Sequence, residues 1–327
     1  MAEPEARAVG DGAWLSADRI AELVASAHEA PVDDEGLVND TYPSLARVDP
    51  NLWGVAVTSV DGFTSSTGDA QVPFVVMSVS KPFVFALVAS HLGVHEASHL
   101  VGMEATGLPF NALASADRPS NPMVTSGAIA TSALAPGSTT AQRWAAIRGA
   151  MSAFAGRELD LDDETYASAR ATNVRIRDLA ARLASAGLLH GDPDDAADLY
   201  ALQCCLRVTA IDLAAMGATL ANGGVQPVTG ERVVSAEAAR GALVAMTIAG
   251  LYQASGRWLL ETGLPAKSGI GGGFVAVAPG KAAIATFGPR LDAVGTSVRG
   301  ARATAILART LGLDLFARPS PVPRVSR

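Results

Sequence analysis

Strand-type text is confined to the two ends of this chain, and helix-type text fills the middle. Near the N-terminus, "LWGVAVTSVDGFTSSTG" reads as a hairpin whose strands flank Asp61-Gly62, a strong turn signal. Near the C-terminus, "LPAKSGIGGGFVAVAPGKAAIATFG" reads as further strands. Much of residues 80–222 reads as helix, including "NVRIRDLAARLASAGLL" and "AADLYALQCCLRVTAIDLAAMGATLANGG". "SADRIAELVASAHEA", "ERVVSAEAARGALVAMT" and "TSVRGARATAILARTLGLDLF" supply helices to the ends, the first with Ser16 as N-cap. Strands so far apart in sequence bury their apolar faces by meeting in one sheet. The expected fold class is α/β, of the α+β kind: a mixed sheet from N- and C-terminal strands, flanked by helices, with an inserted helical subdomain. Residues 13–80 and 225–316 would form the sheet domain and residues 81–224 the helical subdomain. Residues 1–12 and the Pro-rich tail 317–327 are expected to lack structure.

Composition narrows the function. At 49% apolar and 17% charged residues, the 327-residue chain has ample material for a core. A net charge of −7 argues against nucleic acid or an anionic membrane as partner. No uncharged apolar run approaches the roughly 18 to 20 residues of a membrane span. "MAEPEARAVGDGAW" lacks a signal-peptide pattern, so a cytoplasmic location is expected. Cys204 and Cys205 are adjacent; they read as buried small hydrophobes, with no disulfide framework.

The chemistry is suggested by "VVMSVSKPF", residues 75–83. Ser78 and Lys81 stand at i and i+3, a spacing that puts them on one helical face, while Ser80 points elsewhere. Pro82 falls in the first turn, where a missing N–H costs nothing. A buried lysine at a helix start loses proton affinity and can take a serine proton. "LPAKSGIGGGF" is the second clue, because glycines weaken a strand unless something approaches its backbone closely. An S-x-x-K helix with a downstream K-[ST]-G strand is similar to the pairing in Ser-Lys hydrolases of the β-lactamase and penicillin-binding class. His91, His95 and His99 recur every fourth residue like metal ligands, but Gly93 should break that face. "DLDDETY" (160–166) reads as the acidic start of a helix more readily than as a cation site.

Beyond these motifs, the phrases "LARVDPNLWGVAVTSVDG", "GDAQVPFVVMSVSKPF", "VGMEATGLPFNAL", "RPSNPMVTSGAI", "TLANGGVQPVTGERVVS", "GLPAKSGIGGG" and "GTSVRG" occur in one order over roughly residues 15–316. In these the chain resembles the serine-dependent glutaminases, of β-lactamase/transpeptidase-like fold. The resemblance implies attack of a serine on an amide carbonyl, departure of ammonia and release of the acid by water. It implies Ser78 as nucleophile, Lys81 as base, and Tyr200 and Tyr252 as proton relays or substrate contacts. The backbone N–H groups of Ser78 and Ile270 would form the oxyanion hole, with Lys267 and Ser268 beside the substrate. It implies no cofactor and no metal, a small-molecule amide substrate, and a homo-oligomer, dimer or tetramer.

The departures bear on substrate. The family reads glutamine's α-amino and α-carboxylate groups with one Glu and two Asn. At those positions this chain has Ala169 for Glu, and Thr125 and Ile176 for Asn, unless Glu164 or Asn173 compensates. An ammonium desolvated without a carboxylate partner is penalised by several kcal/mol. Three readings stay open: an amidohydrolase acting on an amide without glutamine's free head group, an L-glutaminase with relocated contacts, and a non-catalytic binding protein.

Overall fold

The computed structural model describes residues 16–32, 36–105 and 121–317. Most of the two end segments expected to lack structure, and most of "VGMEATGLPFNAL", lie outside them. Helix α1 (Ala17–Glu29) starts as expected, the Ser16 side chain accepting from the Arg19 N–H. After β1 (Leu37–Val38) and the short α2 (Pro43–Ala46), β2 (Gly54–Ser59) and β3 (Thr64–Gly68) form the hairpin. Its turn carries Gly62 at φ +90°, a conformation glycine adopts without strain. Strand β4 (Phe74–Val75) leads into a 3₁₀ turn, Met77–Ser80, and then α3 (Lys81–Leu92), which Gly93 ends.

The helical middle comprises α4 (Val94–Val101), α5 (Thr125–Ala133), α6 (Thr140–Ala155), α7 (Asp163–Thr172), α8 (Val174–Ser185) and α9 (Pro193–Cys204). The long Ala-rich segment expected as helix is broken after Cys204 by β5 (Arg207–Val208), which pairs antiparallel with β4. Helix resumes as α10 (Ala210–Ala221), followed by α11 (Ala236–Ala249) and α12 (Ser255–Thr262). Strands β6 (Ala266–Ser268), β7 (Gly273–Ala278), β8 (Ala282–Phe287) and β9 (Arg290–Leu291) precede the last helix, α13 (Val298–Thr310).

The N- and C-terminal strands meet in a five-stranded sheet of order β3-β2-β8-β7-β6. The sequence leads one to expect a mixed sheet; every pairing among the described residues is antiparallel. Tight links join β2 to β3, β6 to β7 and β7 to β8, and short links permit only antiparallel neighbours. Helices α1 and α13 cover one face, with Ile20, Val24, Leu307 and Leu311 packed on Val55, Phe274 and Ile284. Helix α10 covers the other, and α3 and α11 pack against each other on that side. Gly217 of α10 lets the helix lie on the sheet, since a Cβ there would stand 2.6 Å from the Ala283 Cβ. A third core joins α5, α8 and α9 next to the 3₁₀ turn. The site lies where this helical core meets the free edge of β6.

Candidate active site

Two close approaches build the site. Gly269 follows β6, and a Cβ on it would stand 2.9 Å from a Val79 methyl and 3.0 Å from the Val76 carbonyl. At Gly271 a Cβ would meet the Val75 carbonyl at 2.1 Å. The glycines of "KSGIGGG" thus let the end of β6 lie against the segment that carries Ser78, as expected of glycines in a strand.

Ser78 sits half-buried in the 3₁₀ turn, directly after Met77, whose φ is +49°. A left-handed backbone is costly for a bulky side chain and persists only where the surroundings enforce it. Here Ser80 enforces it, its hydroxyl donating to the Met77 carbonyl at 2.8 Å. Ser80 accepts in turn from Gln203 Nε2 at 3.1 Å, and Gln203 Oε1 accepts from Ser132 at 2.9 Å. All three polar side chains are buried. The sequence presents Ser80 as an ordinary early-helix residue and does not single out Gln203; their contact spans most of the helical middle and leaves no local signal. Tyr252 is the other non-glycine residue at positive φ among the described residues, +54°, and the same device holds it. Ser255, three residues on, donates to the Tyr252 carbonyl at 2.9 Å and accepts from the Leu251 N–H at 3.0 Å.

Lys81 is 1% exposed and opens α3. Its Nζ is 3.4 Å from the Met123 carbonyl and stands 5.6 Å and 5.9 Å from the ring centres of Tyr200 and Tyr252. Burial lowers its pKa from 10.5 to about 8, against a smaller upward pull from Cys204. Lys267 is fully buried; its Nζ donates to the Ser268 carbonyl at 2.8 Å and lies 3.4 Å from the Tyr252 hydroxyl. Burial, and then the charge of Lys81, hold its pKa well below the usual lysine value. The neighbouring Ser78 hydroxyl pulls the pKa of both Tyr200 and Tyr252 down, a smaller effect than their burial. Burial raises both phenols, Tyr252 to about 12, so each is protonated at neutral pH. Ser78, Lys81, Tyr200, Tyr252 and Lys267 are thus brought into one constellation.

Above it opens a cavity of about 430 Å³, lined by Ser78, Tyr200, Tyr252, Ser268 and Ile270. Thr125, Ala169 and Ile176 line it too, as do Thr41, Tyr42 and Arg175, which nothing in the sequence places there. Among the described lining residues none carries a carboxylate, and Arg175 is the one charged side chain. Asn173 reaches the wall; Glu164 does not, being paired with Arg47. Cys204 and Cys205 also line the cavity as free thiols, buried as expected and pushed to higher pKa chiefly by burial. Past Ala169, Asn173 and Ala201 lies a smaller cavity of about 290 Å³ with Asp194, Asp195 and Asp198 in its wall. Asp195 accepts from Thr140 at 2.7 Å, and Asp198 from the Tyr166 phenol at 2.8 Å.

The weaker candidates resolve simply. His91, His95 and His99 are exposed and split between α3 and α4 by Gly93. No cluster of three or more His, Cys, Asp or Glu among the described residues could hold a metal ion. Asp162 caps α7, accepting from the Thr165 N–H at 2.8 Å, with Asp163 and Glu164 in the first turn. No helix among the described residues is long and apolar enough to cross a membrane.

Comparison with known proteins places this geometry. The Glutaminase family model matches residues 36–316. Glutaminase 2 of Yersinia pestis is 47% identical over 94% of this chain and 92% of its own length. The glutaminase of Mycobacterium ulcerans (strain Agy99) is 45% identical over 93% and 97%. A solved structure described as a "probable glutaminase" superposes with a TM-score of 0.90 at 38% identity, covering 93% of this chain and all of that one. Mglu in its glutamate form gives 0.85 at 37% identity, over 93% and 70%. The fold is therefore the β-lactamase-like one. By identity and coverage alike, the chain belongs to the glutaminase family and is a hydrolase acting on amide carbon–nitrogen bonds.

Proposed function

We propose that this hydrolase opens a carboxamide through an acyl-enzyme on Ser78, and that the amide it prefers lacks the free ammonium of glutamine. Lys81, neutral above about pH 8, takes the Ser78 proton as Oγ bonds to the amide carbon. The oxyanion that forms accepts from the N–H groups of Ser78 and Ile270. Tyr252 or Tyr200 gives a proton to the nitrogen and recovers one from the protonated Lys81, the C–N bond breaks and ammonia leaves. Water then bonds to the acyl carbon, the Oγ–C bond breaks, and Ser78 regains its proton as the acid departs. Support comes from the buried, depressed Lys81 and from the two protonated phenols that line the cavity with Ser78.

The observation that carries the substrate reading is the cavity wall: no carboxylate among its described residues faces the space where an ammonium would sit. An ammonium buried there would lose its hydration with no compensating partner. The test is ammonia release by the purified protein and by Ser78→Ala, with L-glutamine and with carboxamides lacking the α-ammonium. Ser78-dependent release from the latter at the higher kcat/KM supports the proposal, and equal rates from both proteins sink it.

L-glutamine hydrolysis is the second reading. It is favoured by relatives at 44–47% identity that are named glutaminases and by the acidic cavity beyond Ala169. A higher kcat/KM with L-glutamine than with the other amides would select it. A dimer or tetramer and a cytoplasmic setting belong to the same proposal; sedimentation of the purified protein checks the first.

A further inference from the structure

The catalytic cavity is not closed at its far end. Across Asn39, Ile270, Val294 and Gly295, which line both, it continues into a groove of about 610 Å³. The groove lies over the β1–β9 ribbon, where Leu37 pairs with Leu291, and over the turn that follows β9. Its apolar side chains include Leu37, Leu291, Val294 and Val298, with Leu37 76% and Val294 49% exposed. Large apolar side chains held in water beside a catalytic cavity mark a place where a ligand lies. The rim is rigid: the Asp292 carboxylate accepts from the N–H groups of Val294 at 3.0 Å and Thr296 at 2.9 Å. Gly295 donates to the Asp292 carbonyl at 3.0 Å, closing the turn. Asp292 is thus engaged in holding the rim, which leaves Asp40 as the other acid among the described residues of the groove wall.

On a separate element, the exposed Arg175 of α8 lines the catalytic cavity and makes no hydrogen bond or ion pair with any described residue. The substrate is therefore specified on three sides. The amide-hydrolase activity of the family requires a carboxamide at Ser78. Among its described residues the cavity offers a cation for a carboxylate and no anion for an ammonium. The groove offers apolar surface for an uncharged tail.

We infer that the substrate is an N-acylated glutamine, whose side-chain amide meets Ser78, whose α-carboxylate pairs with Arg175, and whose acyl tail lies in the groove along Leu37 and Val294. N-acylation removes the ammonium that the wall cannot match, adds the apolar arm that the groove can cover, and keeps the carboxylate. This rests on the amide-hydrolase reading above and adds a substrate class to it. The reaction is the same: the C–N bond of the terminal carboxamide breaks, ammonia leaves, and water supplies the oxygen of the new carboxylate, giving an N-acylglutamate with the N-acyl bond intact.

The experiment compares ammonia release from L-glutamine, N-acetyl-L-glutamine, N-octanoyl-L-glutamine and 4-(octanoylamino)butanamide, the last being the octanoyl compound without its carboxylate. The expected order of kcat/KM puts N-octanoyl-L-glutamine about tenfold above the acetyl compound and about tenfold above the decarboxylated one, with L-glutamine lowest, about 100-fold below the best. Arg175→Gln should shrink the advantage of the carboxylate, and Val294→Asp the advantage of octanoyl over acetyl. If another amide, L-glutamine included, is hydrolysed in a Ser78-dependent way with no gain from acyl tail or carboxylate, this inference falls and the Ser78 chemistry stands. Release of no ammonia from any amide, with no labelling of Ser78 by a serine-reactive probe, overturns both.

Discussion

Around Ser78 nearly every polar group is matched, whereas across the cavity, around Ala169 and Ile176, there is little to match. On the first side two buried lysines and two phenols gather, the Ser132–Gln203–Ser80 relay holds the strained Met77, and Ser255 holds the strained Tyr252. On the other side the described wall has a methyl, a branched alkyl group, the uncharged Thr125, Thr172 and Asn173, and one exposed guanidinium. Strain concentrates where bonds are made and broken, because reacting atoms must be held within a fraction of an ångström. Recognition is looser and is changed by single side chains. An enzyme can therefore keep its reaction and alter what it reacts with.

The largest effect should follow loss of the proposed nucleophile. Ser78→Ala is expected to lower ammonia release from any amide on the order of 10⁵-fold while circular dichroism stays unchanged. Residual activity above a hundredth would mean that the matched side of the cavity is not the reacting side. Next comes the base. Lys81→Met should cost on the order of 10³-fold in kcat. In the unaltered protein the neutral amine is the active form, so kcat/KM should rise about tenfold per pH unit below pH 8 and level off above it, following the depressed Lys81. A profile flat from pH 6 to 9 would remove Lys81 from that role.

The hydrogen-bonded support under the nucleophile should matter less. Gln203→Leu leaves Ser80 and Ser132 without their partner. It is expected to lower kcat on the order of 100-fold with KM nearly unchanged, as for a misplaced reacting group. A change in KM alone would mean that the network serves binding. The smallest expected effect is a gain on the sparse side. Ala169→Glu sets a carboxylate in the cavity wall and should raise kcat/KM for L-glutamine about tenfold, while lowering it for amides without an ammonium. No shift in that ratio would show that the contrast between the two walls does not govern specificity.

The sequence announced the reacting side better than the recognition side. Ser78 and Lys81 are legible because their spacing is local, and Lys267-Ser268-Gly269 because glycines in a strand ask for a close neighbour. Hairpin and helix starts were legible for the same reason, through Asp61-Gly62 and Ser16. Gln203 was not legible, since its partner Ser80 lies 123 positions away and neither residue is unusual for its helix. The break after Cys204 was hidden because the alanine-rich text runs on through it; the β4–β5 pairing and the Leu161–Leu206 bridge interrupt the helix. Met77 gives no sign of its left-handed backbone, which is imposed from outside. The groove joins Leu37 to Val294, from opposite ends of the chain, and an exposed leucine in a sequence looks like any other.

The glycines that press the end of β6 onto the segment around Ser78 also set a timetable. A polypeptide leaving the ribosome carries Ser78 and Lys81 early, but the residues that complete their surroundings, Tyr252 and Lys267 to Gly271, come near the end. At about 5 to 20 residues per second the interval is on the order of ten to forty seconds. Throughout it the serine is an ordinary alcohol beside an ordinary ammonium in water. On the proposed mechanism, the nascent polypeptide is thereby spared a reactive nucleophile until almost all of it has been made.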